Sequence, residues 1–363
     1  MFATALLIGT ALRLYLAAAY FGNTDEHAWE LYASVVGHGG NLYTDPDIPQ
    51  ILYYAYSPFW AWTLHGVQLL AGALDLPMHF VLRGLMTFVD IGNATLIGIL
   101  AVRVSGWSWG RGFATYYLNP VAILLVGFHG QVEPLSAFPL LLAIVLSERL
   151  IRLSDRRTGV AIWILGTASL LFKHILAFSV WTLYWYAYTP FKRIGLVIAS
   201  GAVFALTVLP YYLDAPGAVT FSMLGHKGLP WIWGFGSFLP QPVALALFFV
   251  VVISLPLAAQ RWRLTLPYAM RLSALAFLAF TYGIGEQYFI IPILFGAAMG
   301  GRWYWIYTAV AGLFLASSFE NVHLITLPRV WNAVWLPALL WFSVALVQAI
   351  RSSRRAPSAY TAR

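Results

Sequence analysis

The chain has no cysteine among its 363 residues. Disulfides and thiolate-bound metals are therefore excluded, and the redox compartment leaves no mark on the sequence. Charge is nearly as scarce. Asp, Glu, Lys and Arg together make up 9% of the residues and 61% are hydrophobic, whereas a soluble domain carries about 25% charged residues. Polar surface on that scale is too small to clothe a globule of this size, so lipid must supply the missing solvent. Several signatures are also missing: a glycine-rich phosphate loop, an H-E-x-x-H pair and a nucleophile elbow. No internal repeat of the kind that marks many transporters is present, and no cytoplasmic domain is available to bind a nucleotide sugar.

What the chain does have is long apolar runs and many interfacial aromatics, with 16 Trp and 20 Tyr, as expected where helices meet membrane surfaces. A span needs about 20 apolar residues. The pattern predicts an all-α integral membrane protein, a polytopic helical bundle of about twelve spans in which 1–363 form a single transmembrane domain. Spans are expected near 3–21, 79–102, 113–128, 134–151, 158–172, 175–190, 194–213, 242–259, 267–284, 287–300, 303–320 and 332–350, with broken or re-entrant helices as the alternative at 158–190 and 285–300. The first run lacks a basic leader and carries Arg13 in its middle, so it reads as a retained span and not a cleaved signal peptide.

Basic residues orient the bundle. Arg103, Arg111, Arg149, Arg152, Arg156, Arg157, Lys192, Arg193, Arg261, Arg263, Arg271 and Arg302 fall in alternate loops. The basic tail 351–363 adds Arg351, Arg354, Arg355 and Arg363 on the same side. That side is expected to be cytoplasmic. The opposite loops hold only Lys173, Lys227 and Arg329, yet they hold ten of the thirteen acids. A first outer loop at 22–78 and a second at 214–241 result. Within the first, two interfacial helices are expected near 25–37 and 58–74, joined by the turn-rich NLYTDPDIP. Ser57 followed by Pro58 is a helix-start signal. If 58–74 crossed the membrane instead, the acidic loop before it would become cytoplasmic, so the interfacial reading keeps the charge rule intact.

Candidate chemistry clusters on the outer side. Asp25 follows span 1 in NTDEHAWE, where it serves either the helix N-terminus, with Asn23 and Glu26 as a capping box, or proton abstraction from an acceptor hydroxyl. FHGQVEP offers His129, Gln131 and Glu133; LFKHILAF offers Lys173 and His174; GHKG offers His226 and Lys227; GIGEQYF offers Glu286, Gln287 and Tyr288. Ionisable groups at bundle depth are functional candidates by default, the plain alternative being that each satisfies a neighbouring helix end. Outer-side cations facing a bilayer suit a lipid phosphate. Arg13, Arg83 and Asp90 lie within spans and read as interhelical ion pairs. DPD at 45–47 is a D-x-D string of the kind that touches metals.

The run TDEHAWELYASVVGHGGNLYTD, with YAYSPFW after it, resembles the first outer loop of the GT-C superfamily, the polytopic glycosyltransferases that use polyprenyl-phosphate sugars. LNPVAILLVGFHGQVEP, LFKHILAF and GEQYFIIPILF resemble three further blocks of that superfamily, in matching order over most of 24–295. The nearest branch holds the GPI mannosyltransferase I catalytic subunit and family 87-like enzymes. Thr24-Asp25-Glu26-His27 lacks the second Asp of that branch's Thr-Asp-x-Asp run, and Glu133 stands where Asp is common.

The resemblance implies an inverting hexosyltransferase, by its nearest branch a mannosyltransferase, acting at the extracytoplasmic face, and the arginine-heavy, cysteine-free composition favours a prokaryotic plasma membrane. Asp25 would be the base, with Glu26 beside it. Lys173, His174, His226, Lys227, Glu286, Gln287 and Tyr288 would hold the donor phosphate and sugar. His27, Tyr56, His129, Gln131 and Glu133 would support the acceptor. The implied partners are a polyprenyl-phosphate sugar, a lipid-linked or glycan acceptor and the bilayer, with no nucleic acid. No cofactor is required, which leaves room for a divalent metal. A transporter or flippase of a lipid-linked or polar solute is the rival expectation, and a non-catalytic scaffold the third.

Overall fold

The computed structural model describes residues 1–20, 24–49, 54–153, 156–224, 238–317, 324–325 and 334–355. Among these there is no strand, and there are sixteen α-helices. They are α1 (Phe2–Ala19), α2 (Thr24–Gly37), α3 (Pro58–Leu74), α4 (Met78–Ser105), α5 (Trp109–Tyr117), α6 (Pro120–Ile123), α7 (Glu133–Leu153) and α8 (Arg156–Phe172). There follow α9 (Ala177–Ala187), α10 (Pro190–Asp214), α11 (Pro216–Leu224), α12 (Gln241–Arg261), α13 (Leu266–Phe280), α14 (Ile290–Gly296), α15 (Arg302–Ser317) and α16 (Trp335–Arg355).

Four of them are long and apolar enough to cross a membrane: α1, α4, Phe191–Asp214 of α10, and α12. Stretches of α7, α13 and α16 are shorter apolar helices. Other expected spans are broken. The run 113–128 is not one helix, because Pro120 cannot continue α5 and Asn119 instead caps α6, accepting from Val121 N at 2.9 Å. A π-helical turn over Leu124–Phe128 follows. The run 287–300 splits into a 3₁₀ turn at Glu286–Phe289 and the short α14, the broken form that its sequence offers as an alternative.

Lipid-facing and core helices are easily told apart. Along α10 the side chains of Phe191, Ile198, Leu206 and Leu213 are exposed, as suits a helix whose solvent is hydrocarbon. In α13, every residue from Ala269 to Ala279 is buried. This helix is the axis of the larger core cluster, with Phe277 stacked on Phe178 of α9 at 4.5 Å. A second, smaller core belongs to the 22–78 loop. There Trp29 of α2 meets Trp60 of α3 edge-on at 5.4 Å, over Leu82 and Met86 of α4.

The two loop helices thus form where expected, near 25–37 and 58–74. Ser57 Oγ accepts from Phe59 N at 3.2 Å to start α3, and donates to Leu171 O at 2.7 Å to tie it to the end of α8. Asn41 anchors the intervening turn on Asp214 of α10 at 2.6 Å. One end of the bundle is thereby assembled from the end of α1, the start of α4 and α7, and the break between α8 and α9.

Candidate active site

The intramembrane charges pair first. Arg13 donates to Asp90 at 2.7 Å and to Tyr117 O at 2.8 Å, while Tyr116 OH donates to the other Asp90 oxygen at 2.5 Å. All three side chains are fully buried, and the pairing of opposite charges that locks α1, α4 and α5 together is what makes buried charge tolerable, although Arg13 Nε makes no hydrogen bond. This is the interhelical role expected of Arg13 and Asp90.

Arg83 has a different office. Its fork holds Glu26, with Nε donating to Oε1 at 2.7 Å and Nη2 to Oε2. Its Nη1 donates to Tyr20 O at 2.8 Å, Gly127 O at 3.1 Å and Leu16 O at 3.3 Å. One guanidinium therefore joins the end of α1, the first turn of α2 and the π-helical turn. Gly130 completes the seat: its φ is +59°, and a Cβ there would run into Glu26 Oε1. Burial pushes the Glu26 carboxyl up to about 7 against the lowering pull of Arg83. Glu26 is thus a clamp for α2, and the neighbouring Asp25 inherits a fixed position. Asn23, the expected cap, lies outside the described residues.

Asp25 is half-buried and accepts from Gln131 Nε2 at 2.9 Å. Gln131 itself is held by its backbone N–H on Leu125 O at 2.9 Å, a bond the π-helical turn makes available. Two residues on, Glu133 meets Lys173 at 2.6 Å, and the pair is buried, at 1% and 4% exposure. The Lys173 ammonium lies 4.9 Å from the centre of the Tyr56 ring and 5.5 Å from that of Tyr288. Tyr43 OH donates to Tyr56 O at 3.1 Å and steadies that turn. Burial, then the Asp25 and Glu133 carboxylates, push the Tyr56 phenol well above its usual range, so it stays protonated. Beyond the ion pair, neither Glu133 oxygen has a hydrogen-bond partner among the described residues, and neither does Gln131 Oε1.

Asp25, Tyr56, Gln131, Glu133, Lys173 and Tyr288 therefore share one site. No family model and no curated protein matches this chain. Its chemistry must be read from these side chains alone.

Other expected residues sit at the margin. His129 is buried next to the site, its Nδ1 3.9 Å from Glu286 Oε2, outside hydrogen-bond reach. Burial lowers its pKa to about 3, so it is neutral. Gln287 folds back over Gly285 and is half-buried. His174 lies against Phe204 of α10, with ring centres 6.0 Å apart, and His27 is exposed on α2. His226, Lys227 and Arg329 lie outside the described residues. His38, Asp45 and Asp47 bring their ligand atoms within 4.8 Å of one another on the loop surface, a grouping suited to a cation, and Asp45 and Asp47 are the DPD motif.

Two features were not foreseen. Lys173 and Glu133, read separately as a phosphate ligand and an acceptor support, are each other's partner. Arg83, read as an ordinary interhelical charge, holds the residue beside Asp25; an arginine within a span facing an acid-rich loop is the signal that marked it.

Proposed function

We propose that the protein is an inverting glycosyltransferase that moves a hexose from a polyprenyl-phosphate donor to a hydroxyl acceptor. The single observation that carries this is the Gln131–Glu133 segment, which holds Asp25 at 2.9 Å and Lys173 at 2.6 Å. A carboxylate is thus set close to Tyr56, and an ammonium beside the rings of both Tyr56 and Tyr288. The helical bundle, with four helices of spanning length, suits a lipid-borne donor. The full count of about twelve spans, the outer-face location and mannose as the sugar belong to this proposal as well.

In the reaction, Asp25 accepts the proton of the acceptor hydroxyl as its oxygen attacks the anomeric carbon. The bond to the phosphate oxygen breaks on the opposite face, and the electron pair leaves with the phosphate. Lys173 keeps N–H groups beyond the one facing Glu133, and these meet the leaving anion. A polyprenyl phosphate departs as an anion without protonation, so no general acid is needed, in contrast with glycoside hydrolysis. Gln131 keeps the Asp25 carboxylate aimed. No step calls for a metal.

A translocator of polar headgroups is the second reading, favoured by the two buried ion pairs of α4, Arg13–Asp90 and Arg83–Glu26, which form a file of charge from the site into the bundle. Purified protein in nanodiscs with a labelled polyprenyl-phosphate hexose and a glycan acceptor separates the two. A new glycosidic bond that is lost in Asp25→Asn supports transfer. Turnover by Asp25→Asn near the wild-type level defeats it, and label movement between leaflets without bond formation selects translocation.

A further inference from the structure

The acceptor end of the site has an unusual balance. Four carboxylates gather there, Asp25, Glu26, Glu133 and Glu286, against two cations, Arg83 and Lys173. Both cations are ion-paired, Arg83 with Glu26 while it also donates to three backbone carbonyls, and Lys173 with Glu133. In the transfer reading the N–H groups that Lys173 has left serve the donor phosphate. His129 adds no charge, since burial keeps it neutral. The partner that the structure provides for Asp25 is the neutral amide of Gln131.

Among the buried side-chain atoms of the site that make no hydrogen bond, acceptors outnumber the one ammonium, Lys173 Nζ, which is already ion-paired with Glu133. Gln131 Oε1 and the Glu133 carboxylate are acceptors, on side chains that are each 1% exposed, and no donor among the described residues reaches them beyond Lys173. A buried acceptor without a donor is costly, and a ligand that supplies the donor recovers that cost. Beside these acceptors stand the faces of Tyr56 and Tyr288, flat apolar surfaces of the sort that a pyranose covers with its C–H groups. Hydroxyls donate to such acceptors. A carboxylate or phosphate cannot, and would add negative charge where a donor phosphate already draws on Lys173.

We infer that the acceptor subsite, between Gln131 and Glu133, takes an uncharged sugar ring through its hydroxyl donors and rejects anionic analogues of the same ring. This rests on the transfer reading for the word acceptor, but the binding itself requires no donor and no chemistry.

The test is therefore a binding measurement. Wild-type protein in phosphatidylcholine nanodiscs is titrated with a butyl hexoside and with the butyl hexuronide that differs only by its carboxylate. The hexoside should bind about tenfold or more tightly than the uronide, the worth of one strong hydrogen bond or one like-charge contact. Gln131→Leu should weaken the hexoside about tenfold, and Glu133→Gln should narrow the gap by improving the uronide. Equal or tighter binding of the uronide by the wild-type protein overturns the inference, and so does hexoside affinity unchanged in Gln131→Leu. Should that variant fail to fold, the wild-type comparison alone decides. The two levels separate cleanly. Selective hexoside binding without bond formation from the lipid-linked donor sinks the transfer reading and leaves the inference standing, whereas transfer to anionic acceptors as readily as to neutral ones does the reverse.

Discussion

Gln131 donates to Asp25 at 2.9 Å, and Glu133, two positions later, closes on Lys173 at 2.6 Å. Because the first follows a π-helical turn and the second opens α7, the segment between them cannot drift without moving both contacts. Asp25 and Lys173 come from distant parts of the chain, and this short stretch is what makes them neighbours.

Removing the Gln131 amide should therefore damage catalysis more than stability. Gln131→Leu keeps the volume of the side chain but frees the Asp25 carboxylate to rotate. Transfer should fall about ten- to hundredfold, the usual consequence of a mispositioned base. Turnover in nanodiscs, together with a thermal melt, checks it. Unchanged turnover would mean that Asp25 is aimed by something else or is not the base.

Much of this arrangement was readable from the chain, and the unreadable part has a physical pattern. Ser57-Pro58 announced α3, and the acid-rich first turn announced α2, since both are local signals in the backbone chemistry of a helix start. The all-helical class followed from composition. The interruption at Asn119-Pro120 was hidden inside an apolar run whose hydropathy gives no hint of a break. Arg83–Glu26 and Lys173–Glu133 were unreadable for another reason. Each joins residues far apart in sequence, and periodicity reports which face a side chain occupies but not which partner waits opposite. His226 and Lys227, expected at the donor phosphate, lie outside the described residues.

The Lys173–Glu133 pair should behave as a buried ion pair does. Lys173→Met alone leaves a carboxylate that is 1% exposed without its counter-charge, a loss on the order of 3–5 kcal/mol. Glu133→Leu in the same protein should restore most of that stability, since both charges are then gone. Donor use should not return with it, because the leaving phosphate still lacks its cation. Melts of the two single variants and the double variant, read beside the donor KM, test both halves. Strictly additive losses of stability would refute the coupling, and donor use recovered in the double variant would remove Lys173 from the phosphate.

Gly130 is the point at which backbone conformation and side-chain packing coincide. Its φ of +59° is unfavourable for an L side chain, by about 1–2 kcal/mol, and a methyl group there would press on the Glu26 carboxylate. Gly130→Ala should lower the melting temperature and loosen the Arg83–Glu26 clamp. Transfer should fall with it, although residue 130 touches no reacting atom. A variant that melts and turns over like the wild type would show that α2 is seated by other contacts.

His129 makes the acid response of the fold predictable in sign. Burial holds its folded pKa at about 3, below the ordinary value of 6.5. Between those limits the unfolded chain binds a proton that the folded protein refuses. This contribution to stability is therefore complete above about pH 6.5 and is lost as the pH falls toward 3, at up to about 1.4 kcal/mol per pH unit. Glu26 pulls the other way. Its folded pKa is raised from 4.5 to about 7, so it favours the folded state as the pH falls through that range. The two effects overlap and must be separated by substitution. His129→Gln cannot titrate, whereas Glu26 titrates alike in both proteins and cancels in the comparison. The stability of wild type relative to His129→Gln should therefore shrink steadily as the pH is lowered from 7 to 4.5. A difference that stays constant over that range would mean that His129 takes up its proton in the folded state, and with it that the wall of the site beside Glu286 is wet.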